Sequence, residues 1–213
     1  MTGAPANAPP AAGSLGSGRG HNREVNENHA VCGSDEWRAA VREDIIPWAL
    51  AEGDLRDLGD RVLEVGPGYG ATTDVFREKV ARLVAVEIDP DLARALPARL
   101  GAGNVDVVEG DATALPCPDG AFSGAVCFAM LHHVAPVERQ DQIFAEVARV
   151  VRKGGLFLAS DSLRSDDLEA FHTGDTYQPV DPATLPRRLA EAGFVDVDVR
   201  IGGSRWAASA RAG

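Results

Sequence analysis

One stretch limits what this chain can become: Arg61-Val62-Leu63-Glu64-Val65-Gly66-Pro67-Gly68-Tyr69-Gly70. Its apolar start suits a short strand, and the run then breaks into a turn with glycine at 66, 68 and 70. Glycines at those positions permit unusual backbone angles and let a ligand approach the main chain closely. Residues Ala71 to Val80 read as a helix. The loop therefore sits at a helix N-terminus, where unpaired N–H groups favour a polar or anionic ligand. Strand, glycine-rich turn and helix together make a nucleotide-type binding device.

The chain repeats this alternation. A strand from Arg82 ends in acid at Glu87 and Asp89, and a helix follows over 91–100 with strain at Pro97. A third strand, Val105 to Glu109, leads to Gly110-Asp111-Ala112; a fourth, Phe122 to Phe128, runs into Ala129-Met130-Leu131-His132-His133. A helix over 136–151 follows, and Lys153-Gly154-Gly155 is expected to turn sharply into a strand over 156–160. Repeated strand and helix predict an α/β fold, a parallel sheet with helices on both faces. The end departs from the pattern. A helix over 182–192 stops at Gly193, and two runs, 194–201 and 206–211, flank Gly202-Gly203-Ser204 as a hairpin.

Composition excludes several classes. A net charge of -11 argues against stable binding of nucleic acid, which needs a basic face. Cys32, Cys117 and Cys127 are scattered, with no CxxC or Cys/His cluster, so no metal site is read from spacing and a reducing cytoplasm is expected. No apolar run is long enough for a membrane span. Residues 1–22, rich in Ala, Pro, Gly, Ser and Asn, read as a disordered leader. Residues 23–58 read as an N-terminal helical cap, with Trp37, Val41, Ile45, Trp48 and Leu50 at helical spacing, Ser34 or Asp35 as its cap, and Pro47 as a kink or break. Residues 59–213 form the ligand-binding domain, within which 162–180 is a candidate lid. The sequence sets no oligomeric state.

The glycine loop alone also suits a dinucleotide, since Gly66, Gly68 and Ala71 match that fingerprint loosely and Glu87 suits a ribose diol. Four features point elsewhere. Glu64 precedes the first glycine, which is poor company for a pyrophosphate and good company for a cationic ligand. Gly110-Asp111-Ala112 offers a carboxylate and an amide to an adenine edge. The fourth strand ends in Phe-Ala-Met-Leu-His-His rather than in hydride-transfer residues. The terminal hairpin is foreign to the plain dinucleotide fold.

On these residues, together with Arg149-Val150-Val151-Arg152-Lys153-Gly154-Gly155, the chain resembles the class I S-adenosylmethionine-dependent methyltransferases. It is most similar to the small-molecule enzymes related to ubiquinone and menaquinone biosynthesis. The resemblance covers 58–160 and, by topology, 180–211. It implies a Rossmann-like sheet of order 3-2-1-4-5-7-6 with strand 7 antiparallel, and S-adenosylmethionine as cofactor. It implies that Glu64, Gly66, Pro67, Gly68 and Gly70 wrap the methionine part, that Glu87 takes the ribose hydroxyls beside Ile88, and that Asp111 and Ala112 meet the adenine. Phe128, Ala129 and Met130 would lie near the sulfonium.

Methyl transfer to a phenol, alcohol or amine releases a proton, and histidine suits that task at neutral pH. His132 and His133, at the carboxyl end of the fourth strand, are the candidate bases. His29, Trp37, Asp161 and His172, from the covers over the sheet, are candidate contacts to a small-molecule acceptor. Two other readings stand beside this one: a non-catalytic S-adenosylmethionine-binding regulator and an NAD-dependent dehydrogenase.

Overall fold

The computed structural model describes residues 27–51 and 54–213; the expected leader lies outside the described residues. Seven strands form one sheet: β1 (Arg61–Val65), β2 (Arg82–Glu87), β3 (Val105–Glu109), β4 (Phe122–Phe128), β5 (Val151–Ser162), β6 (Phe194–Gly202) and β7 (Arg205–Ala212). Their order is β3-β2-β1-β4-β5-β7-β6, with β7 antiparallel to both neighbours. The expected topology is thus the observed one.

The central strands are buried on both sides, which explains why they read as continuous apolar runs rather than alternating ones. Side chains still alternate between faces. Leu63, Val65, Ala125, Cys127, Phe157 and Ala159 enter one core. Helices α6 (Val137–Val150) and α8 (Leu185–Glu191) cover that core through Ile143, Phe144, Val147, Val150, Leu185 and Leu189. Val62, Val126, Phe128, Leu156 and Leu158 enter the other core, under α4 (Ala71–Phe76) and the N-terminal helices. Glu64 shares Val62's face, so its carboxylate is carried beneath α4.

Before the sheet, α1 (Asp35–Ala40) widens into a π turn over Val41–Ile45 and continues as α2 (Ile46–Ala49); a single turn, α3 (Asp54–Asp57), precedes β1. Ser34 is the cap, accepting the Trp37 N–H at 3.1 Å. Pro47 sits in the first turn of α2, directly after the π turn, in which the Ile46 N–H reaches back to the Val41 carbonyl. Pro47 has no N–H to give and its ring crowds the preceding turn, and the wider π turn makes that room. Pro97 is carried inside α5 (Pro90–Leu100), whose N-cap Asp89 accepts from the Asp91 and Leu92 amides.

Two expectations need correction. The helix after the glycine loop ends at Phe76 and finishes in turns through Lys79. Lys153-Gly154-Gly155 does not begin β5 but bulges within it: Phe122 pairs with Val151 and Gly124 with Leu156. Gly155 is required there, because a Cβ would stand 2.5 Å from the Ser123 carbonyl oxygen.

The register brings Val65, Val86 and Cys127 level across β1, β2 and β4. The order in which strands are added reverses between β1 and β4, which run parallel, and the crevice at such a switch point is where open α/β sheets take ligands. Among the described residues no helix is long and apolar enough to cross a membrane.

Candidate active site

A cavity of about 420 Å³ opens over the carboxyl ends of β1, β2 and β4. Gly66, Pro67 and Gly68 form its floor, Glu87, Ile88, Asp111 and Ala112 one end, and Phe128, Ala129 and Met130 the middle. His132, His133, His29 and His172 stand at the other end, and Trp37 lines the wall. The fold therefore collects most of the residues singled out in the sequence into one space. Glu64, Gly70 and Asp161 do not face it.

The floor is shaped by backbone conformation. Gly66, Gly68 and Gly70 have φ of 65°, 54° and 81°. At Gly66 a Cβ would lie 2.2 Å from Met130 Cγ, whereas at Gly68 it would meet nothing within 4 Å. The loop thus packs tightly underneath and presents bare main chain to the open space above Gly68. Ala129, at φ 49°, turns the chain out of β4 and is the non-glycine counterpart on the facing strand.

Glu64 lies behind the floor, 2% exposed. Thr72 donates a short hydrogen bond to one oxygen, and the Thr73 hydroxyl donates to the other at 2.7 Å. Burial pushes its carboxyl up to about 7, against the two threonine bonds. Glu87 is also buried. One oxygen accepts the Gly68 N–H and the other the Asp89 N–H, both at 2.9 Å, so it braces the glycine loop from the β2 side. Burial raises its pKa, with these amides opposing. Ile88 is half exposed beside it.

Asp111 accepts the Thr113 N–H and hydroxyl at 2.9 and 2.8 Å, and Arg139 donates to its other oxygen at 2.8 Å. Burial pushes its carboxyl up, but those three donors outweigh it and hold it below the usual range. Arg139 is a further wall residue that the sequence did not single out.

The opposite end is built on histidines. His132 Nδ1 lies 2.6 Å from Asp161 Oδ1, and its main-chain N–H donates to Asp161 Oδ2 at 3.1 Å. A carboxylate can only accept, so His132 carries its proton on Nδ1 and keeps the lone pair on Nε2. Burial lowers the His132 pKa, but Asp161 more than offsets it. Asp161, expected as an acceptor contact, is instead buried behind His132 as its partner, because its place in β5 turns it toward the β4 exit. His133 is driven down to about 2, by burial first and then by His132, His29 and His172.

His29 comes from the 3-10 turn Glu27–Gly33 and His172 from the end of α7 (Asp166–Phe171). Their rings are 5.0 Å apart, and each is about 5 Å from His133, at 4.8 and 5.2 Å. The candidate lid is thus a short helix and a connector that roof this end. Gln140 ties it down. Its amide nitrogen is 3.0, 3.1 and 2.8 Å from the carbonyls of Leu131, Val134 and Gln178, and its oxygen accepts from buried Arg188 at 2.9 Å. The sequence did give a signal for Gln140: it is polar on the stripe of α6 shared with Ile143, Phe144, Val147 and Val150.

Comparison with known proteins adds to this geometry. Residues 63–159 match the family model described as "Methyltransferase domain". A probable S-adenosylmethionine-dependent methyltransferase of Mycolicibacterium smegmatis is 29% identical over 76% of this chain and 67% of its own. A probable ribosomal RNA small subunit methyltransferase A of Methanothermobacter thermautotrophicus is 42% identical over 52% of this chain. The chain spans 67% and 40% of the lengths of these two relatives. The crystal structure of a SAM-dependent methyltransferase from Archaeoglobus fulgidus superposes with a TM-score of 0.66 at 19% identity, covering 86% of this chain and 97% of that one, and so shares the fold.

Proposed function

We propose, for a chain that belongs to the class I S-adenosylmethionine-dependent methyltransferases, that the acceptor is a small molecule seated under the histidine roof. S-adenosylmethionine is the cofactor, and the alternative of an NAD-dependent dehydrogenase is set aside by the family. The residues present fit that cofactor. Bare main chain above Gly68, carboxylates at Glu87 and Asp111, and the buried acid Glu64 suit a ligand with a ribose diol, an adenine edge and a positive charge, and no phosphate.

When bound, S-adenosylmethionine supplies a methyl group on a sulfonium, whose carbon–sulfur bond breaks with its electron pair going to sulfur. The chain's own residues do the rest by position and field. Gly66–Gly68 would hold the methionine part, Glu87 the ribose and Asp111 with Ala112 the adenine. Glu64, when ionised, favours the cation from below. Asp161 fixes His132 so that Nε2 takes the proton released by the attacking atom of the acceptor.

The observation that carries the reading is the His132–Asp161 pair at one end of a cavity whose other end is made of Glu87 and Asp111. A roofed space of about 420 Å³ favours a small acceptor over an RNA, as does the charge of -11. The scattered free cysteines support a cytoplasmic setting. The test is calorimetry with S-adenosylhomocysteine, followed by labelled S-adenosylmethionine with a panel of phenols, fatty acids, amines and a structured RNA. Labelling of a small acceptor supports the reading. Labelling of the RNA alone overturns the acceptor class, and binding with no transfer to any member of the panel restores the non-catalytic regulator.

A further inference from the structure

The fold gathers three histidines that no spacing in the sequence announces, at positions 29, 133 and 172. They arrive from the N-terminal 3-10 turn, the turn after β4 and the end of α7. Each offers a ring nitrogen, and these nitrogens lie within 4.8 Å of one another. We propose that His29, His133 and His172 form a binding site for one divalent transition-metal ion, Zn²⁺ in the first place, at the acceptor end of the cavity.

Three features of the surroundings favour an ion over plain packing. His172 Nδ1 is 2.7 Å from the Leu168 carbonyl, which can only accept, so Nδ1 carries the proton and Nε2 carries the lone pair. That Nε2 is buried, in a residue 4% exposed, with no hydrogen-bond partner among the described residues. Second, the other two rings have polar neighbours of the kind that orient metal-bound imidazoles. His133 makes a backbone hydrogen bond at Thr176, and His29 Nδ1 lies 3.4 Å from Asp175 Oδ2. Third, Asp175 Oδ2 is itself buried without a hydrogen bond, so a carboxylate oxygen stands beside His29 as an outer partner of the site.

Neutral imidazoles suit Zn²⁺ and its neighbours, and three of them leave a coordination position open. Tetrahedral Zn²⁺ with bonds of about 2.0–2.1 Å needs nitrogens roughly 3.3 Å apart, so the rings close inward by about an ångström on binding. All three line the cavity, so the open position faces the space assigned to the acceptor. A hydroxyl or carboxylate oxygen of the acceptor would be held there beside His132. That use rests on the methyl-transfer reading; the ion site itself rests on the side chains alone.

The experiment is titration of the metal-free full chain with Co²⁺, followed by visible absorption and by metal content after dialysis. One Co²⁺ per chain is expected, with the visible bands of a histidine-rich four- or five-coordinate ion, displaced by Zn²⁺. His172→Gln and His133→Gln should each weaken binding about 100-fold and Asp175→Asn about 10-fold, the lower value being usual for an outer partner. S-adenosylhomocysteine binding, measured on the same samples, should stay within twofold and so report an intact fold. Absence of the bands in the wild type, or equal Co²⁺ affinity in all variants, overturns the site. If the wild type binds Co²⁺ but no S-adenosylhomocysteine, the methyl-transfer reading falls and the metal site stands.

Discussion

Replacing Glu64 by Gln tests the charge beneath the glycine loop. The carboxyl is fully enclosed and titrates at about 7 in the folded chain against an ordinary 4.5. A raised folded value means that the native state holds the proton more tightly than the unfolded one. The stability this provides is fully present below about pH 4.5, falls as pH rises, and is gone above about 7. At about 1.4 kcal/mol per tenfold in proton affinity, the ionised carboxylate costs on the order of 3 kcal/mol at pH 8. Gln is neutral throughout and keeps an oxygen for Thr72 or Thr73. Urea unfolding at about pH 5.5 and pH 8 should show the variant gaining about 2 kcal/mol on the wild type across that interval. The same change should weaken S-adenosylmethionine more than S-adenosylhomocysteine, which lacks the sulfonium charge, by about fivefold, since a charge pair is worth roughly 1 kcal/mol. Parallel stability curves for the two proteins would refute the assignment of this titration to Glu64. Equal loss of both ligands would refute the role of its charge.

Three more changes probe the rest of the site. Asp161→Asn removes a charge-assisted bond to His132 worth about 1.5–3 kcal/mol, so kcat should fall roughly 10- to 100-fold while S-adenosylhomocysteine affinity holds; an unchanged kcat removes His132 from the chemistry. Gly66→Ala forces a Cβ onto Met130 from a left-handed backbone and should lower stability by roughly 1–3 kcal/mol and abolish calorimetric binding of S-adenosylhomocysteine. Gln140→Leu fits the apolar stripe but deprives three carbonyls of a donor; roughly 1–3 kcal/mol is lost in a melt, and KM for the acceptor rises without change in cofactor affinity.

Much of this was legible in the chain, for reasons of period and punctuation. Strands buried on both faces wrote themselves as Val-Leu-Glu-Val and Phe-Ser-Gly-Ala-Val-Cys-Phe, and the glycine loop marked the switch point. Lys153-Gly154-Gly155 misled, because a glycine pair marks a turn and a bulge alike, and only the pairing partner distinguishes them. Asp161 and His132 were each visible, but their union depends on the β4–β5 register. The histidine cluster was hidden more deeply. Its members are separated by about a hundred and by about forty residues, so only the meeting of the roof segments over the sheet reveals them.

The N-terminal helices are fastened both to the turn that follows α4, where Arg42 donates to the two Glu78 oxygens at 2.9 Å, and to the last hairpin. Arg200 donates to the Ala49 carbonyl at 2.6 Å, Arg205 to Asp44 at 2.7 Å, and the Trp48 ring lies against Gly202. A chain growing on the ribosome makes its cofactor cradle from residues 61–128 early, whereas the segment that carries His29 gains its second set of anchors only once Arg205 has emerged. The acceptor end is therefore completed after the cradle, and the order of synthesis puts the methyl-donor site ahead of the finished roof.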